Sequence, residues 1–551
     1  MKILDRSQMS FVARDESMWQ GFPGMCLTPS GRLVVAVKQA YGHGASRWSR
    51  GIVTTSDDRG RTWSKPKTFV EGDFDKEQAF AATGGFYLTT LRSGRILLHY
   101  FNEAWPERAP ATPFVRISDD EGDSWAEPRR MTDDLHFRPD GAILELRDGT
   151  LLLYSNMNRI LRSTDNGETW EPFGGPVVPE DCPLQLAEVC LSEVIGGAII
   201  MLARENHYAN FPMFALRSED KGASWSRPEP SPFVGHWPAT YDLADGTHVL
   251  AYRNIGGRAN SLVWRGDLST AGGYRPSSCR YDDGCARMTD DGLLVDTTGP
   301  GLQFSQYFLL PHDDSDSTVA LEAEVRCLAN AGHACAVGLR GVGWLRIFPD
   351  HVDFEHIPRH SEIPVTGNDW HTYRLDLHRR ALRVSIDGEQ VLSYPAIDFA
   401  PVTHTPCTAF GTKFDYRQLP RPELYPMRVR LPNYVLPSNE GKSMWRRVSL
   451  TVSDQRWMPD YRYEWRADRD GMPDRFQEEA FLELERCQDT GDWGKPVSVV
   501  FGDGECFAID YFGNGMPVGY PSVSFLQPDR GHNCYVRGYR FSLEDLPASS
   551  G

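Results

Sequence analysis

A phrase of eight residues that occurs four times constrains this chain more than any other feature. It has the form Ser-x-Asp-x-Gly-x-Thr/Ser-Trp, and its copies lie at 56–63, 118–125, 163–170 and 218–225. The Asp can accept hydrogen bonds from main-chain amides, the Gly supplies a positive φ, and the Trp packs the turn against its own sheet. Each copy therefore predicts one turn between strands, a structural marker with no chemistry of its own.

The copies recur at spacings of 62, 45 and 55 residues, which is typical of a propeller whose blades are built from short strands. Upstream of these phrases a second pattern recurs, in which two alternating strands flank a turn that contains Gly. It occurs six times, with turns at Gly31, Gly94, Asp148-Gly149, Gly196-Gly197, Asp245-Gly246 and in the segment 520–531. Six hairpins predict six blades.

The two repeated patterns stop after the fifth hairpin, and neither occurs in the segment 274–455. Residues 370–378 and 381–392 alternate polar and apolar side chains with period two around a turn. This resembles a strand pair of concanavalin-like or laminin-G-like jelly rolls. We therefore expect an all-β chain: blades one to five in 1–273, a β-sandwich inserted between blades five and six in 274–455, and blade six with ring closure in 456–551.

Composition excludes several classes of function. The formal net charge is −17, whereas nucleic-acid binding needs a broad basic surface. No stretch approaches the ~18 apolar residues of a membrane helix, and no apolar signal region follows the first residues. We expect a cytoplasmic protein without a membrane partner, and a homo-oligomer is possible. Its 11 cysteines are expected to be mostly free thiols, with Cys279/Cys285 and Cys327/Cys335 as alternative bridges. No metal or cofactor motif is present.

Propeller geometry predicts where function lies, because inner strands begin and second strands end on the same face of the ring. Glu188 begins the inner strand of blade four and Arg204 ends its second strand, so the two should lie close together. Arg258 is expected to open the third strand of blade five on this face, and Tyr520 to begin the inner strand of blade six. A carboxylate, a phenol and two guanidinium groups therefore converge on one mouth.

These residues resemble those of the sialidase family, the glycoside hydrolases with Asp-box propellers. The spacing of Glu188 and Arg204 is similar to the layout of the family's fourth blade, and Gly519-Tyr520-Pro is similar to a strand entry in its last blade. The resemblance implies that Tyr520 is the nucleophile and Glu188 the base that polarises it. It also implies that Arg204 and Arg258 hold a substrate carboxylate, which guanidinium groups can grip bidentately.

The sequence departs from the family at two places. The family's first clamp arginine precedes Ile-Pro at the start of blade one, where this chain has Trp19-Gln20-Gly21-Phe22-Pro23, and the loop that carries the family's acid/base Asp contains no carboxylate here. Arg47 or Arg50 is a candidate replacement for the arginine, and His43 for the acid.

Two other residues occupy predicted strand entries on the same face, Arg138 and His236. They are candidates for substrate binding, and the alternative for each is that it braces a loop. For Arg204 and Arg258 the alternative is an ion pair between blades. Tyr520 could pack the central channel instead of reacting.

The sequence thus predicts a glycosidase that removes a terminal sugar, an acidic one by preference, from a glycan. Sialic acid is one candidate, and another acidic or deoxy sugar is an alternative. Two other functions stay open on the same scaffold. One is a polysaccharide lyase, in which Tyr or His abstracts a proton beside an Arg-neutralised carboxylate. The other is a propeller that binds carbohydrate without catalysis.

Overall fold

The computed structural model describes residues 2–15, 17–40, 42, 48–73, 81–82, 85–103, 111–134, 137–155, 158–205, 212–254, 260–280, 283–299, 303–312, 316–355, 362–365, 369–397, 407–413, 439–486, 493–513 and 534–547. Within these residues the chain is nearly all β-structure, with short helices at Ala467–Asp470 and Arg475–Glu479. Six sheets form the blades of a propeller, and two larger sheets form a separate sandwich. No described helix has the length and apolar character that a membrane crossing needs.

The first four blades are antiparallel sheets whose strands follow the chain from the inner edge outward. Blade one contains Trp19–Leu27, Leu33–Ala40, Trp48–Ser56 and Lys67–Asp73. Blade two contains Tyr87–Thr90 and Ala81–Ala82, both paired with Ile96–Glu103, then Ala111–Ser118 and Arg129–Arg130. Blade three contains Leu144–Glu145, Leu151–Ser155, Arg159–Ser163 and Glu171–Phe173. Blade four contains Leu186–Glu193, Ile199–Glu205, Phe214–Ser218 and Glu229–Pro230. The first four predicted hairpins are confirmed.

Blades five and six are completed by distant segments of the chain. Blade five contains Gly235–Asp242, His248–Asn254, Asn260–Gly266 and Leu482–Arg486, with Lys2–Ile3 parallel to the last strand. Blade six contains Val497–Val500, Glu505–Gly513, Cys534–Ser542 and, as its outer strand, Met9–Ala13. The N-terminal strand therefore closes the ring, and the predicted six-bladed propeller is confirmed.

Apolar packing between the blades accounts for the closed ring. Six of the buried clusters each join two neighbouring blades, so that every one of the six interfaces has its own core. Leu33, for example, packs with Phe507 between blades one and six, and Leu97 packs with Leu151 between blades two and three. Burial of such side chains is worth about 1.5–3 kcal/mol each, so no blade is stable without its neighbours.

The four repeated phrases, hereafter the Asp-box turns, join the third and fourth strands of blades one to four. In the first, Asp58 accepts hydrogen bonds from the Thr62 amide at 2.8 Å and from the Thr62 hydroxyl at 2.6 Å. These contacts lower the pKa of Asp58 to about 2. Gly60 has a φ of 79°, and a Cβ added there would lie 2.3 Å from the ring of Phe507 in blade six. The turn is therefore structural, as predicted.

Blade five has no Asp-box turn, because the sandwich occupies that connection. The chain leaves after Asn260–Gly266 and returns in Leu482–Arg486, which pairs antiparallel with it. The insertion therefore lies inside blade five, between its third and fourth strands, and not between blades five and six as predicted. The sequence pattern hid this because the returning strand, Leu-Glu-Leu-Glu-Arg, has no turn signal that marks it as part of blade five.

The sandwich has one sheet of seven strands and one of eight. In spatial order the first contains Ser277–Arg280, Ser305–Leu309, Thr408–Gly411, Ala336–Leu339, Gly343–Ile347, His351–Glu355 and Ile363–Pro364. The second contains Ala286–Thr289, Gly292–Asp296, Gly441–Ser453, Thr318–Asn330, His371–His378, Ala381–Ile386 and Glu389–Tyr394, with Tyr461–Arg466 beside Gly441–Ser453. One apolar core lies between the sheets. The concanavalin-like relationship and the domain limit at 274 stay predictions. The predicted limit at 455 is too early, because Tyr461–Arg466 still pairs within the second sheet.

The sandwich also contacts the propeller. The Tyr274 hydroxyl donates to the carbonyl of Phe308 at 2.9 Å, and Tyr274 and Met458 belong to the apolar cluster between blades three and four. Arg227, just beyond the fourth Asp-box turn, donates to the carbonyl of Arg456. Cys327 and Cys335 are free thiols, as are the other seven cysteines whose side chains are described.

Candidate functional site

The inner strands of three blades carry a β-bulge at their first residues, on the face where second strands end. The bulged residues Phe22, Glu188 and Trp237 have φ values of 48°, 48° and 54°, and the pairing register shifts beside each of them. A bulge turns a side chain out of the regular alternation of the strand. Positive φ at residues other than Gly is uncommon and clusters at functional sites. This face, hereafter the mouth, is therefore the candidate site.

Glu188 and Arg204 meet at the mouth as predicted. Arg204 Nη1 donates to Glu188 Oε1, and the main-chain amide of Trp237 in blade five donates to Glu188 Oε2 at 3.1 Å. The side chain of Glu188 is 9% exposed and that of Arg204 is 18% exposed. The carboxylate is thus held from two blades in a site that the solvent reaches only at its edge.

Asp140, at the start of blade three, lies directly beside Glu188. Its Oδ2 accepts the main-chain N–H of Glu188 at 2.7 Å, and its Oδ1 lies 3.4 Å from the Tyr87 hydroxyl. Burial raises the pKa of Asp140 to about 7, and the charge of Glu188 acts in the same direction. Sequence reasoning considered Arg138 at this strand entry and missed Asp140.

Arg253 and His236 form a second cationic element in blade five. Arg253 Nη2 donates to His236 Nδ1 at 2.6 Å, and its Nη1 donates to the carbonyl of Trp493 at 3.0 Å. Burial holds the pKa of His236 well below its usual value, and the charges of Arg204 and Arg253 lower it further. A neutral imidazole is therefore in contact with one guanidinium group and within the electrostatic influence of a second.

Blade six contributes Lys495 and Asp510, neither of which the sequence analysis singled out. Lys495 Nζ donates to the carbonyl of Phe86 at 2.9 Å and lies 3.8 Å from the ring centroid of Tyr87. Burial lowers the pKa of Lys495 to about 7, while Asp140 and Glu188 oppose that shift. Asp510 accepts the main-chain N–H of Lys495 at 2.7 Å, and burial raises its pKa to about 7.

Aromatic rings line the mouth on the side of blade one. Phe22 lies 5.3 Å from Trp19, 5.8 Å from Trp237 and 5.6 Å from Tyr511, measured between ring centroids. The buried ammonium of Lys38 lies 5.6 Å from the Phe22 ring. Such a cluster holds cations against apolar faces, and it gives the site a rigid wall.

The remaining predicted residues fall into two groups. Arg50 lies at the mouth, where its Nε donates to Gln39 Oε1 at 2.6 Å, and Gln39 Nε2 donates to Gln20 Oε1 at 3.1 Å. The main-chain N–H of Arg138 donates to the hydroxyl of Ser155 at 3.1 Å, which agrees with loop bracing. Tyr520, Arg258, His43 and Arg47 lie outside the described residues.

The predicted sixth hairpin requires a correction. The inner strand of blade six is Val497–Val500, and its hairpin continues into Glu505–Gly513. The inner hairpin of this blade is therefore not the segment 520–531 that the sequence pattern predicted. Because Tyr520 lies outside the described residues, its role stays a prediction.

The described residues contain no group of three or more His, Cys, Asp or Glu side chains that could hold a metal ion. The described part of the mouth contains charged groups and hydrogen-bond partners for a ligand. Two guanidinium groups can bind an anion, two buried carboxyl groups with raised pKa can hold protons near neutral pH, and Glu188 can polarise a neighbouring hydroxyl.

Comparison with known protein families supports the fold. Residues 75–271 match the model of the BNR repeat-like domain. This chain carries a BNR repeat-like domain. The match spans the last three Asp-box turns and the inner hairpins of blades two to five, and with the six-bladed topology it confirms the predicted β-propeller. No curated protein matches the sequence.

Several solved structures overlap with this BNR propeller in part. A protein of unknown function from Dyadobacter fermentans is 18% identical with a TM-score of 0.42, and the match covers 55% of this chain and 93% of that one. A mutant of Trypanosoma rangeli sialidase displaying trans-sialidase activity is 10% identical with a TM-score of 0.35, covering 83% and 97%. The intramolecular trans-sialidase from Ruminococcus gnavus in complex with oseltamivir carboxylate is 12% identical with a TM-score of 0.35, covering 54% and 91%.

Proposed function

We propose that this protein is a glycosidase that removes a terminal acidic sugar from a glycan. Two contacts carry the proposal: Arg204 holds the carboxylate of Glu188, and Arg253 donates to neutral His236 in the neighbouring blade. A sialidase-like BNR propeller is the setting in which such a mouth is expected to act on a sugar.

The charge of Arg253 favours an anionic group in the substrate. Both of its described hydrogen-bond acceptors, His236 Nδ1 and the Trp493 carbonyl, are neutral. Its nearby carboxyl group, Asp510, has a raised pKa and so carries only part of a charge near pH 7. Among the described residues, Glu188 is the one carboxylate that forms an ion pair with Arg204. A carboxylate in the substrate supplies the missing counter-charge, and Arg can bind it bidentately.

Glu188 is the residue to which we assign activation of the nucleophile. Its two oxygens are held by Arg204 and by the Trp237 amide, so the carboxylate cannot rotate freely. In the proposed mechanism the Tyr520 oxygen bonds to the anomeric carbon while Glu188 takes the phenolic proton, the glycosidic C–O bond breaks and an acid protonates the leaving oxygen. Water then hydrolyses the bond between the sugar and Tyr520. A neutral phenol approaches an anionic sugar more easily than a carboxylate does. Asp140 contacts the main chain of Glu188 and so supports the position of the base.

The geometry speaks against a lyase that uses His236 as its base. Arg253 has no acceptor atom, so His236 Nδ1 must accept the hydrogen bond between them, and the imidazole proton then resides on Nε2. Both ring nitrogens are thereby unable to take a further proton without breaking this contact. A lyase would need a different base.

The test is incubation of the wild type with glycans that end in sialic acid, other acidic sugars or neutral deoxy sugars. Release of a monosaccharide and ultraviolet absorbance of an unsaturated product are followed together. Glu188→Gln and Tyr520→Phe should each lower the release of an acidic sugar by at least 100-fold, whereas Glu219→Gln, an exposed change in the same blade, should not. Absorbance growth without release indicates a lyase, and binding without turnover in all variants indicates a non-catalytic propeller.

A further inference from the structure

We propose that Asp140 is a positioning residue, which holds Glu188 in its bulged conformation and weakens that hold when it gains a proton. The inference rests on the proposed function for its catalytic consequence, but its structural part can be tested without activity. Asp140 contacts Glu188 through the main chain of Glu188 and not through the reacting carboxylate. It therefore acts on the reaction through another residue.

Blade three is joined to the bulge of blade four by two hydrogen bonds. The Glu188 N–H donates to Asp140 Oδ2 at 2.7 Å, and the Val189 N–H donates to the Asp140 main-chain carbonyl at 2.8 Å. The next residue, Gly141, has a φ of 155°, and a Cβ there would lie 2.1 Å from the Val189 carbonyl oxygen. The two backbones thus approach as closely as a residue without a side chain allows.

The bulge at Glu188 needs this support more than the other two bulges do. Phe22 and Trp237 are followed by Pro23 and Pro238, which have no N–H to satisfy. Glu188 is followed by Val189, whose N–H would lack an acceptor without Asp140. A left-handed conformation is strained for a residue other than Gly and persists only where its surroundings determine it. Asp140 supplies both of the hydrogen bonds that determine it here.

Asp140 is itself held by blade two. Its Oδ1 faces the Tyr87 hydroxyl, and the Tyr87 ring stacks on His99 with a centroid distance of 4.9 Å. His99 Nε2 lies 2.9 Å from the Gly141 carbonyl, so this nitrogen is the donor. Burial lowers the pKa of His99 to about 3, so the ring is neutral. Positions in blades two, three and four are therefore coupled through Asp140.

Several titratable or charged groups act on Asp140 from the elements around it. Glu188 raises its pKa together with burial, whereas Arg204, Lys495 and the hydrogen bond from the Glu188 N–H lower it. Burial and, to a smaller extent, the charge of Asp140 raise the pKa values of Tyr87 and Tyr154. Both phenols therefore remain protonated near neutral pH. With a pKa of about 7, Asp140 changes its protonation within the working range of most enzymes.

Protonation should weaken the contact with Glu188. An ionised carboxylate accepts a charge-assisted hydrogen bond, which is roughly twice as strong as a neutral one. As the pH falls through about 7, the acceptor of the Glu188 N–H becomes a neutral acid and the bulge loosens. The pH profile of activity should then have an acidic limb, in which activity falls as Asp140 gains a proton.

The experiment compares Asp140→Asn and Asp140→Ala with the wild type and with Asp245→Asn. Asp245 is an exposed turn residue on the opposite face of blade five, where it accepts hydrogen bonds from Thr247. Asn at position 140 keeps an oxygen for the Glu188 N–H but cannot ionise. Two readouts are used: the pH dependence of kcat and KM, and hydrogen exchange of peptides that cover 186–193, corrected for intrinsic rates.

We expect Asp140→Ala to lower kcat on the order of 100-fold, with a smaller change in KM, because misplacement of a catalytic group by about 1 Å costs that much. Exchange in 186–193 should become faster in the same variant. Asp140→Asn, which presents a neutral acceptor at every pH, should hold kcat near the lower value that the wild type reaches in acid, lose the acidic limb and show protection that does not change from pH 5.5 to 8. Asp245→Asn should match the wild type in all of these.

Two results would overturn the inference: wild-type protection of 186–193 in Asp140→Ala, or an acidic limb that persists in Asp140→Asn. If Asp140→Ala fails to fold, the wild type and Asp140→Asn are compared instead. Protection of 186–193 that changes with pH in the wild type but not in Asp140→Asn supports the inference, and the same pH dependence in both contradicts it. If the wild type hydrolyses nothing, the proposed function fails, while the exchange comparison still tests the link between Asp140 and Glu188.

Discussion

Arg253 donates a hydrogen bond to Nδ1 of His236 at 2.6 Å, and this contact fixes the imidazole as its neutral tautomer with the proton on Nε2. The imidazole is buried, and neighbouring guanidinium charge keeps its pKa well below the usual value. His236 can therefore donate a hydrogen bond to a substrate across the physiological pH range, but it cannot act as a general acid there.

His236→Ala should lower the free energy of unfolding by about 1–3 kcal/mol, because it leaves a buried guanidinium N–H without its acceptor. His236→Asn, which places an oxygen near the position of Nδ1, should cost less. Urea unfolding at pH 7 measures both. His351→Ala, in a partly exposed position of the sandwich, is the control and should stay within about 0.5 kcal/mol of the wild type. Equal losses in the two His236 variants would contradict the assigned hydrogen bond.

Removing Arg204 should destabilise the fold through the charge that it leaves behind. Arg204→Ala strands Glu188, whose side chain is 9% exposed, and we expect a loss of about 3 kcal/mol in the free energy of unfolding. The double variant Arg204→Ala/Glu188→Gln should recover part of that loss, since no charge is stranded. A double-mutant cycle in urea measures the coupling. Strictly additive losses would show that the two groups do not interact.

Two glycines with similar φ separate backbone strain from packing. Gly60 and Gly149 have φ values of 79° and 89°, but a Cβ at Gly60 would meet the Phe507 ring at 2.3 Å, whereas nothing lies within 4 Å of one at Gly149. Gly149→Ala should cost about 1–2 kcal/mol for the left-handed backbone. Gly60→Ala should cost about 1–3 kcal/mol more, because the blades must separate. Thermal unfolding of both variants tests the difference, and equal costs would argue against close packing of the Asp-box turn.

The pH dependence of stability should report on Asp510. Burial raises its pKa from 3.8 to about 7, so between these values the folded protein keeps a proton that the unfolded chain has lost. Stability therefore falls as pH rises from about 4 to 7 and is unaffected by this group above 7. Each unit of the rise in pKa corresponds to about 1.4 kcal/mol.

Asp510→Asn should remove this contribution. The amide can still accept the N–H groups of Lys495 and Tyr511 and can donate to the Ser261 hydroxyl, which the present carboxylate contacts. The variant should match the wild type at pH 4.5 and be more stable at pH 7.5, as measured by urea midpoints. A variant that is less stable at both values would falsify the raised pKa.

Much of the architecture was predictable because it depends on local chemistry. The Asp-box turns and the first five hairpin turns use Asp and Gly in conformations that few other residues adopt, so four to eight residues suffice to recognise each one. The convergence of Glu188 and Arg204 followed from strand direction alone. The sixth hairpin, by contrast, was placed at 520–531, because the turn from Phe501 to Glu505 lies beside a short strand, Val497–Val500, with little alternation.

The sequence by itself determined the fold class, the number of blades and the face on which a site can form. Only the tertiary structure showed that the sandwich lies within blade five, that the N-terminal strand completes blade six, and that Asp140, Lys495 and Asp510 surround the mouth. The physical reason is the range of the contacts. Asp140 and Glu188 are 48 residues apart, and Lys495 reaches a carbonyl 409 residues away. The raised or lowered pKa of a buried group depends on which blades close around it, and no local pattern contains that information.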